Sequence, residues 1–584
     1  MTLPELTEEQ QEFVDHIGGA FVEACPGAGK TRAIVSRIHR LGQTLPPRKG
    51  VAVLSFTNTA VDEFKERCFA LDLESSLRLP GFIGTFDAFI RHFFVLPGGI
   101  PGVLARPHIV DSWKTLGIDI RLRGAAAFHT GVSLDNFDAV DGTIDPDSIG
   151  NNALKRHIQG NLAQYQAAAT ARRNALRRNG ILSVADARIV AIQNLGRAGW
   201  EDALRDSLAA RFSEIIVDEA QDCNDVDLAL LGLLKDSGIP VTIVCDPDQA
   251  IYQFRHGNPS ELGEFRDKYA AENRLMLTGN FRSSPGICNL AATLRERDAP
   301  DVALGEYRDV DIPIQILEYG GATVQPSIGQ RFSALADESG IPLGQAYILA
   351  HGRNAAFRAV GKGNTTSNSE AKIAIMATAV GSYWASSGSG KTREKALRAV
   401  EKLILQLMGK INDVEPLSKT IERNDLNVRW LRRTALEFLT SLPKNCNHTD
   451  AGRTAWLQSV QTVAQNIGLE LAEGQRVTNF FSNRGGNDWS KALQVDVEQV
   501  ALPCATVHEA KGREYDAVCL VIPPDRAPQN NTEQLLVAWE GRVSDEAKRV
   551  AYVAITRAKK LAAIAVPSAY LGRLIAILDA GDVP

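Results

Sequence analysis

The chain has 584 residues, more than one ordinary domain holds, and 44% hydrophobic with 23% charged residues is a globular balance, not a disordered or fibrous one. Its 64 Lys+Arg against 69 Asp+Glu leave a net charge of −5, so any surface that grips phosphates must be a local basic groove. No apolar run nears the roughly 18 residues of a membrane span, the acidic start MTLPELTEEQ is unlike a signal peptide, and eight scattered cysteines show no C-x-x-C spacing; the expectation is a cytoplasmic protein, with no membrane partner and with free thiols.

From the N-terminus, AFVEA (20–24) reads as a buried strand and TRAIVSRIHRL (31–41) as a helix. Between them lies ACPGAGKT (24–31), the strand–loop–helix setting of a phosphate-binding loop. Gly27 and Gly29, with Pro26 and Ala28, let backbone N–H groups approach phosphate, and the helix N-terminus adds partial positive charge. Lys30 reaches the β- and γ-phosphates and Thr31 holds magnesium. VAVLSFT (51–57) is the next strand. Residues 97–205 open in the Pro/Gly-rich VLPGGIPG and continue as helices, such as 152–179. The basic ARRNALRRN (171–179) is either a duplex contact or, more simply, a solvated helix face.

EIIVDEA (214–220) is a strand whose end carries Asp218 and Glu219. Adjacent carboxylates there divide the labour of hydrolysis: Asp218 for the metal, Glu219 to orient and deprotonate water. VTIVCD (241–246) is another strand, continuing into DPDQAIYQFRHG (246–257). Gln249 there is placed to sense a γ-phosphate. Tyr252 and Phe254 alternate onto one face before Arg255 and are either base-stacking or core aromatics. AYILAHG (346–352) and YDAVCLVIP (515–523) complete the buried strands, all of the parallel kind covered on both faces. Residues 361–499 interrupt them and read as mostly helical. Within them ASSGSGKT (385–392) repeats the phosphate-loop pattern, but GSYW before it is a poor strand, so a flexible loop capping a helix is expected. Cys446 and His448 fall in a plain loop.

Together these motifs resemble the UvrD/Rep/PcrA-type helicases of superfamily 1, in that family's order and over nearly the whole chain. The resemblance implies an α/β fold of two RecA-like parallel-sheet lobes, each with a mainly helical insertion. The expected first lobe is 1–96 and 206–274 with insertion 97–205, and the second is 275–360 and 500–584 with insertion 361–499. It implies ATP contacts at Gln10 in LTEEQ, at Arg32, at Phe281 and Arg282 in LTGNFRSSPGI, at Gly512 and Glu514 in ATVHEAKGREYDAV, and at Arg557 in RVAYVAITRAKKL. Phe281 stacks on adenine, while Arg282 and Arg557 reach the γ-phosphate. DNA contacts are implied at Phe56, Thr57 and Asn58, at Thr85 in GTFDAF, at Tyr252, Phe254 and Arg255, and at Thr506 and His508.

The implied activity is ATP-dependent movement, 3′ to 5′, on single-stranded or tailed duplex DNA, with ATP and Mg2+. Four positions depart from the pattern. Asp87 stands for a histidine and would repel DNA, Cys245 for a glycine, Phe254 for a tryptophan, and Arg513 for a leucine, adding charge at a DNA channel or a subunit surface. The small size is compatible with compact members such as the helicase subunit of Gabija anti-phage defence, whose partner is an OLD-type nuclease. The alternative is therefore an ATPase and DNA-sensing subunit of a larger complex.

Overall fold

The computed structural model describes residues 5–46, 48–71, 73, 79–114, 116, 118–122, 131–149, 152–251, 259–295, 300–361, 372–384, 390–410, 427–444, 450–472, 474–481, 502–525, 531–581 and 583. Two parallel sheets organise them. The first has six strands, ordered Arg274–Leu277, Phe21–Ala24, Val241–Cys245, Phe212–Asp218, Gly50–Ser55 and Phe82–Thr85. The second has five, ordered Gln315–Tyr319, Ala558–Pro567, Tyr515–Val521, Ala346–Ala350 and Cys504–Thr506. Every pairing within both sheets is parallel.

Side-chain alternation explains why these strands are apolar throughout. Ala52, Leu54, Ile215, Val217 and Ile243 enter one core, while Val51, Val53, Ile216 and Val244 enter another on the opposite face. The second sheet does the same, with Val518, Leu520 and Ile564 on one side and Ala517, Cys519 and Ala563 on the other. A sheet buried on both faces needs no polar alternation. The five strands expected around 51–57, 214–220, 241–246, 346–352 and 515–523 are all present, one or two residues shorter at their C-terminal ends.

Two further apolar clusters lie apart from the sheets. One gathers Trp113, Phe137, Ile158 and Tyr165, and the other Met376, Val400, Phe438 and Trp456 from helices Lys372–Trp384, Gly390–Leu407, Val428–Ser441 and Asp450–Asn466. Helices Val184–Leu195 and Glu201–Arg211 behave differently. Their Val190, Ala191, Leu204 and Leu208 pack into the first sheet's core beside Ile215. Residues 97–205 also hold short strand pairs, His108–Val110 with Ile181–Ser183 and Asp119–Ile120 with Val132–Ser133, which helical periodicity did not anticipate. Arg173 is not part of a solvated face: it is buried, 3.2 Å from Asp186, and donates to the carbonyls of Leu134 and Phe137. A helix, Lys372–Trp384, precedes the second phosphate-loop pattern where a strand would be needed; 385–389 and the side chains of 390–392 lie outside the described residues, as do Cys446 and His448. No helix among the described residues is long and apolar enough to cross a membrane.

Candidate functional site

The first sheet delivers its polar residues to the carboxyl ends of its strands, where parallel sheets place their ligands. Strand Phe21–Ala24 runs into Cys25–Gly29, and helix Lys30–Gly42 starts directly behind. Gly27 and Gly29 have φ of 76° and 70°, a region side chains disfavour. A Cβ at Gly27 would lie 2.6 Å from the Arg282 Cβ, and one at Gly29 would lie 2.9 Å from the Gln10 amide nitrogen. Gln10 is held by a capping box with Thr7 and donates through Nε2 to the Ala28 carbonyl at 2.8 Å. Phe281 N donates to the Gly27 carbonyl at 2.9 Å. The Arg32 guanidinium lies 5.9 Å from the Phe281 ring, and its Nε and one Nη have no hydrogen-bond partner among the described residues. An aromatic face beside bare N–H donors suits a planar, acceptor-rich base.

The two carboxylates sit under this loop. Glu219 has φ 57° and ψ 37°, left-handed backbone at a non-glycine residue. Such a conformation costs about 1–3 kcal/mol and clusters at functional sites. The turn aims its carboxylate at Lys30, 2.8 Å away, and Gln221 donates to its other oxygen. Burial raises the pKa of Asp218, and Glu219 beside it adds to the rise. Burial acts the same way on Glu219 but is outweighed by Lys30 and then Lys511, which hold it ionised. Asp218 is 4% exposed, and its Oδ1 has no hydrogen-bond partner among the described residues. A bare, buried carboxylate oxygen beside a phosphate loop fits a hard cation.

Side chains from the second sheet's side complete the cluster. Arg557 follows helix Glu546–Ile555, is 2% exposed, and donates from Nη2 to Gln249 Oε1 at 2.9 Å. Burial, and then Arg282 nearby, lower its pKa. Gln249 donates onward to Asp246 at 2.8 Å, and the same Asp246 oxygen accepts from Tyr552 at 3.2 Å. Lys511 pairs with Asp222 at 2.6 Å and donates to the Gln249 carbonyl. Arg282 donates to Glu514 at 2.7 Å and to the Thr556 carbonyl at 3.1 Å. Gly512, at φ 79°, turns the chain between Lys511 and Glu514. Lys30, Asp218, Glu219, Gln249, Arg282, Glu514 and Arg557 are thus brought to one cleft, with Gln10, Arg32 and Phe281 on its flank and Thr31, half-buried, in its first helical turn. Asp222, Asp246, Lys511 and Tyr552 join them without having been assigned a role. The available signal was a polar residue inside each motif beside the one that was read.

The residues expected to meet DNA share a local design. Thr57, Thr85 and Thr506 each have extended backbone at a strand end, and each cap a helix by accepting from the third residue on, Ala60, Ala88 and Glu509. Thr57 opens a 13-residue helix whose N-terminal N–H groups suit phosphate oxygens, whereas the α-helical segments behind Thr85 and Thr506 are five and four residues long and carry Asp87 and Glu509 in their first turns. Asn58 is exposed at the start of its helix. Phe56 is partly committed to packing, stacked on Phe86 at 5.5 Å. A ring nitrogen of His508 lies 3.1 Å from the Ile251 carbonyl. Tyr252, Phe254 and Arg255 lie outside the described residues. Asp87 is not a bare acid: Arg188 is 2.8 Å from its carboxylate. Cys245 is wholly buried in the first sheet's core, and Arg513 is exposed.

The UvrD/REP helicase N-terminal domain matches residues 6–95 and 141–270, and the UvrD-like helicase C-terminal domain matches 394–568. Among relatives, the ATP-dependent DNA helicase PcrA of Leuconostoc citreum is 26% identical over 300 residues, covering 49% of this chain and 38% of that protein. The ATP-dependent DNA helicase UvrD1 of Mycobacterium tuberculosis is 26% identical over 323 residues, covering 50% and 39%. The ATP-dependent DNA helicase Rep of Escherichia coli is 26% identical over 319 residues, covering 50% and 43%. Each match spans less than half of the relative's own length.

Proposed function

The chain belongs to the UvrD/Rep helicase family, and from that premise we propose that it is an ATP-hydrolysing motor that steps along single-stranded DNA, 3′ to 5′. The observation that carries the reading is the Arg557–Gln249 contact of 2.9 Å, which joins the two sheets' strand ends over the phosphate loop. A γ-phosphate between them gains charge-assisted hydrogen bonds from Lys30, Arg282 and Arg557 only when the lobes are closed. Lys30 must then exchange Glu219 for phosphate, which releases Glu219 to accept a proton from water. After phosphate departs, the two arginines lose their shared partner and the lobes separate. Thr31 and Asp218 are the residues that would hold magnesium, which neutralises phosphate charge when bound. Threonine-capped helices on both lobes grip the strand alternately as the cleft opens and closes.

The same reading assigns 1–96 with 206–277 to one lobe and 278–360 with 500–584 to the other, the expected boundary at 274 moving because strand Arg274–Leu277 pairs in the first sheet, and it implies a cytoplasmic setting. The experiment is unwinding of 3′-tailed and 5′-tailed duplexes with Lys30→Ala as control. Activity on the 3′-tailed duplex alone, absent in Lys30→Ala, is expected; preference for the 5′ tail would overturn the polarity. A second reading is a DNA-sensing ATPase subunit that serves a nuclease partner. It is favoured by the altered strand motifs, with Asp87 in GTFDAF and Phe254 in DPDQAIYQFR. DNA-stimulated hydrolysis without unwinding by the chain alone would select it.

A further inference from the structure

One charge cluster lies outside the cleft, at a position where the chain departs from the family pattern. Asp87 stands two residues beyond Thr85, and its side chain is 49% exposed. Arg188 Nη2 is 2.8 Å from it. Arg188 comes from helix Val184–Leu195, is 12% exposed, and donates through Nε to Asp227 at 2.6 Å. Asp227 is 1% exposed and forms a capping box with Asn224, accepting from Asn224 N and donating its own N–H to Asn224 Oδ1 at 2.9 Å. That cap directly follows the short turn Ala220–Asp222, which leads back to Glu219 and holds Lys511 through Asp222.

We propose that Asp87, Arg188 and Asp227 form a relay through which a strand held at Thr85 is felt at Glu219, an inference that rests on the strand-binding reading above. Two carboxylates share one guanidinium, so the triad carries an excess negative charge on its solvent side. A phosphate arriving at the Thr85 cap repels Asp87 and competes for Arg188. Arg188 is also the counter-charge of the buried Asp227, and a buried carboxylate loses much when its partner moves. Displacement of Arg188 is therefore transmitted to the Asn224–Asp227 cap, which anchors the turn that fixes the left-handed Glu219. None of the three touches the reacting phosphate; they are positioning residues.

The test uses the full chain, with steady-state ATP hydrolysis and fluorescence-anisotropy binding of labelled oligo(dT). Asp87→Asn leaves the Arg188–Asp227 pair in place, so the fold is kept. Its DNA-free turnover is expected within about twofold of wild type, while stimulation by oligo(dT) falls about fivefold or more, the lower range of a site-to-site coupling. Asp87→Glu should restore stimulation, and Arg188→Lys should lower it without a matching loss of oligo(dT) affinity. If Asp87→Asn tightens oligo(dT) binding and keeps full stimulation, Asp87 is only an opposing charge and the relay is overturned. A wild-type turnover indifferent to oligo(dT) would instead remove the strand-binding reading, and the relay with it.

Discussion

The proposed nucleotide cleft and the proposed strand-facing surface are built on opposite physical plans. In the cleft each basic group is largely shielded and held by a polar partner: Lys30 by Glu219, Arg282 by the more open Glu514, Arg557 by Gln249, Lys511 by Asp222. On the strand face the groups are exposed or half-exposed, and the threonines are held only by the helices they cap. Buried charges in fixed positions stabilise charge developing at one point, because nothing need reorganise during reaction. Exposed caps give weak, sequence-blind and salt-sensitive contacts, which a moving grip requires. The difference teaches that single substitutions in the cleft should be far more costly than those on the strand face.

The largest effect is expected from Arg557→Ala, which removes the charge that crosses between the lobes. Turnover should fall about 10³-fold or more, as for other arginines on a transferring phosphate. Glu219→Gln should follow, lowering turnover about 10²–10⁴-fold while a fluorescent nucleotide still binds, because Lys30 is freed from its ion pair. Tyr552→Phe removes one hydrogen bond to the buried Asp246. It should cost about 1–3 kcal/mol in thermal or denaturant unfolding, with turnover reduced less than in the first two. The smallest effect is expected from Thr85→Ala, where loss of a helix cap costs about 1 kcal/mol. Its DNA affinity, measured by anisotropy across a salt series, should weaken severalfold with DNA-free hydrolysis unchanged. Comparable losses of turnover from Thr85→Ala and Arg557→Ala would break the comparison.

Much of this was legible because it is local. Strand Phe212–Asp218 announces itself by an apolar run ending in acids, and the phosphate loop by glycines between a strand and a helix. What was not legible is long-range pairing. Tyr552 and Asp246 are 306 residues apart, and each looks ordinary within its own segment. Arg188 lies in an apolar helix whose packing on the first core could not be foreseen from the Pro/Gly-rich opening of that region. Asp87 shows the same limit from the other side. Read alone it is a repulsive acid beside a phosphate site, and only its distant guanidinium changes that reading.

In the proposed motor, closure of the cleft by Arg557 is coupled to a strand on the capped helices. That coupling is tested most directly by steady-state ATP hydrolysis of the full chain titrated with unstructured single-stranded DNA, wild type beside Arg557→Ala. Hydrolysis by the wild type should rise to a plateau as DNA saturates, and the variant should bind DNA with little hydrolysis at any concentration. Wild-type hydrolysis that stays flat across the titration, or an Arg557→Ala variant that responds as the wild type does, would contradict that coupling.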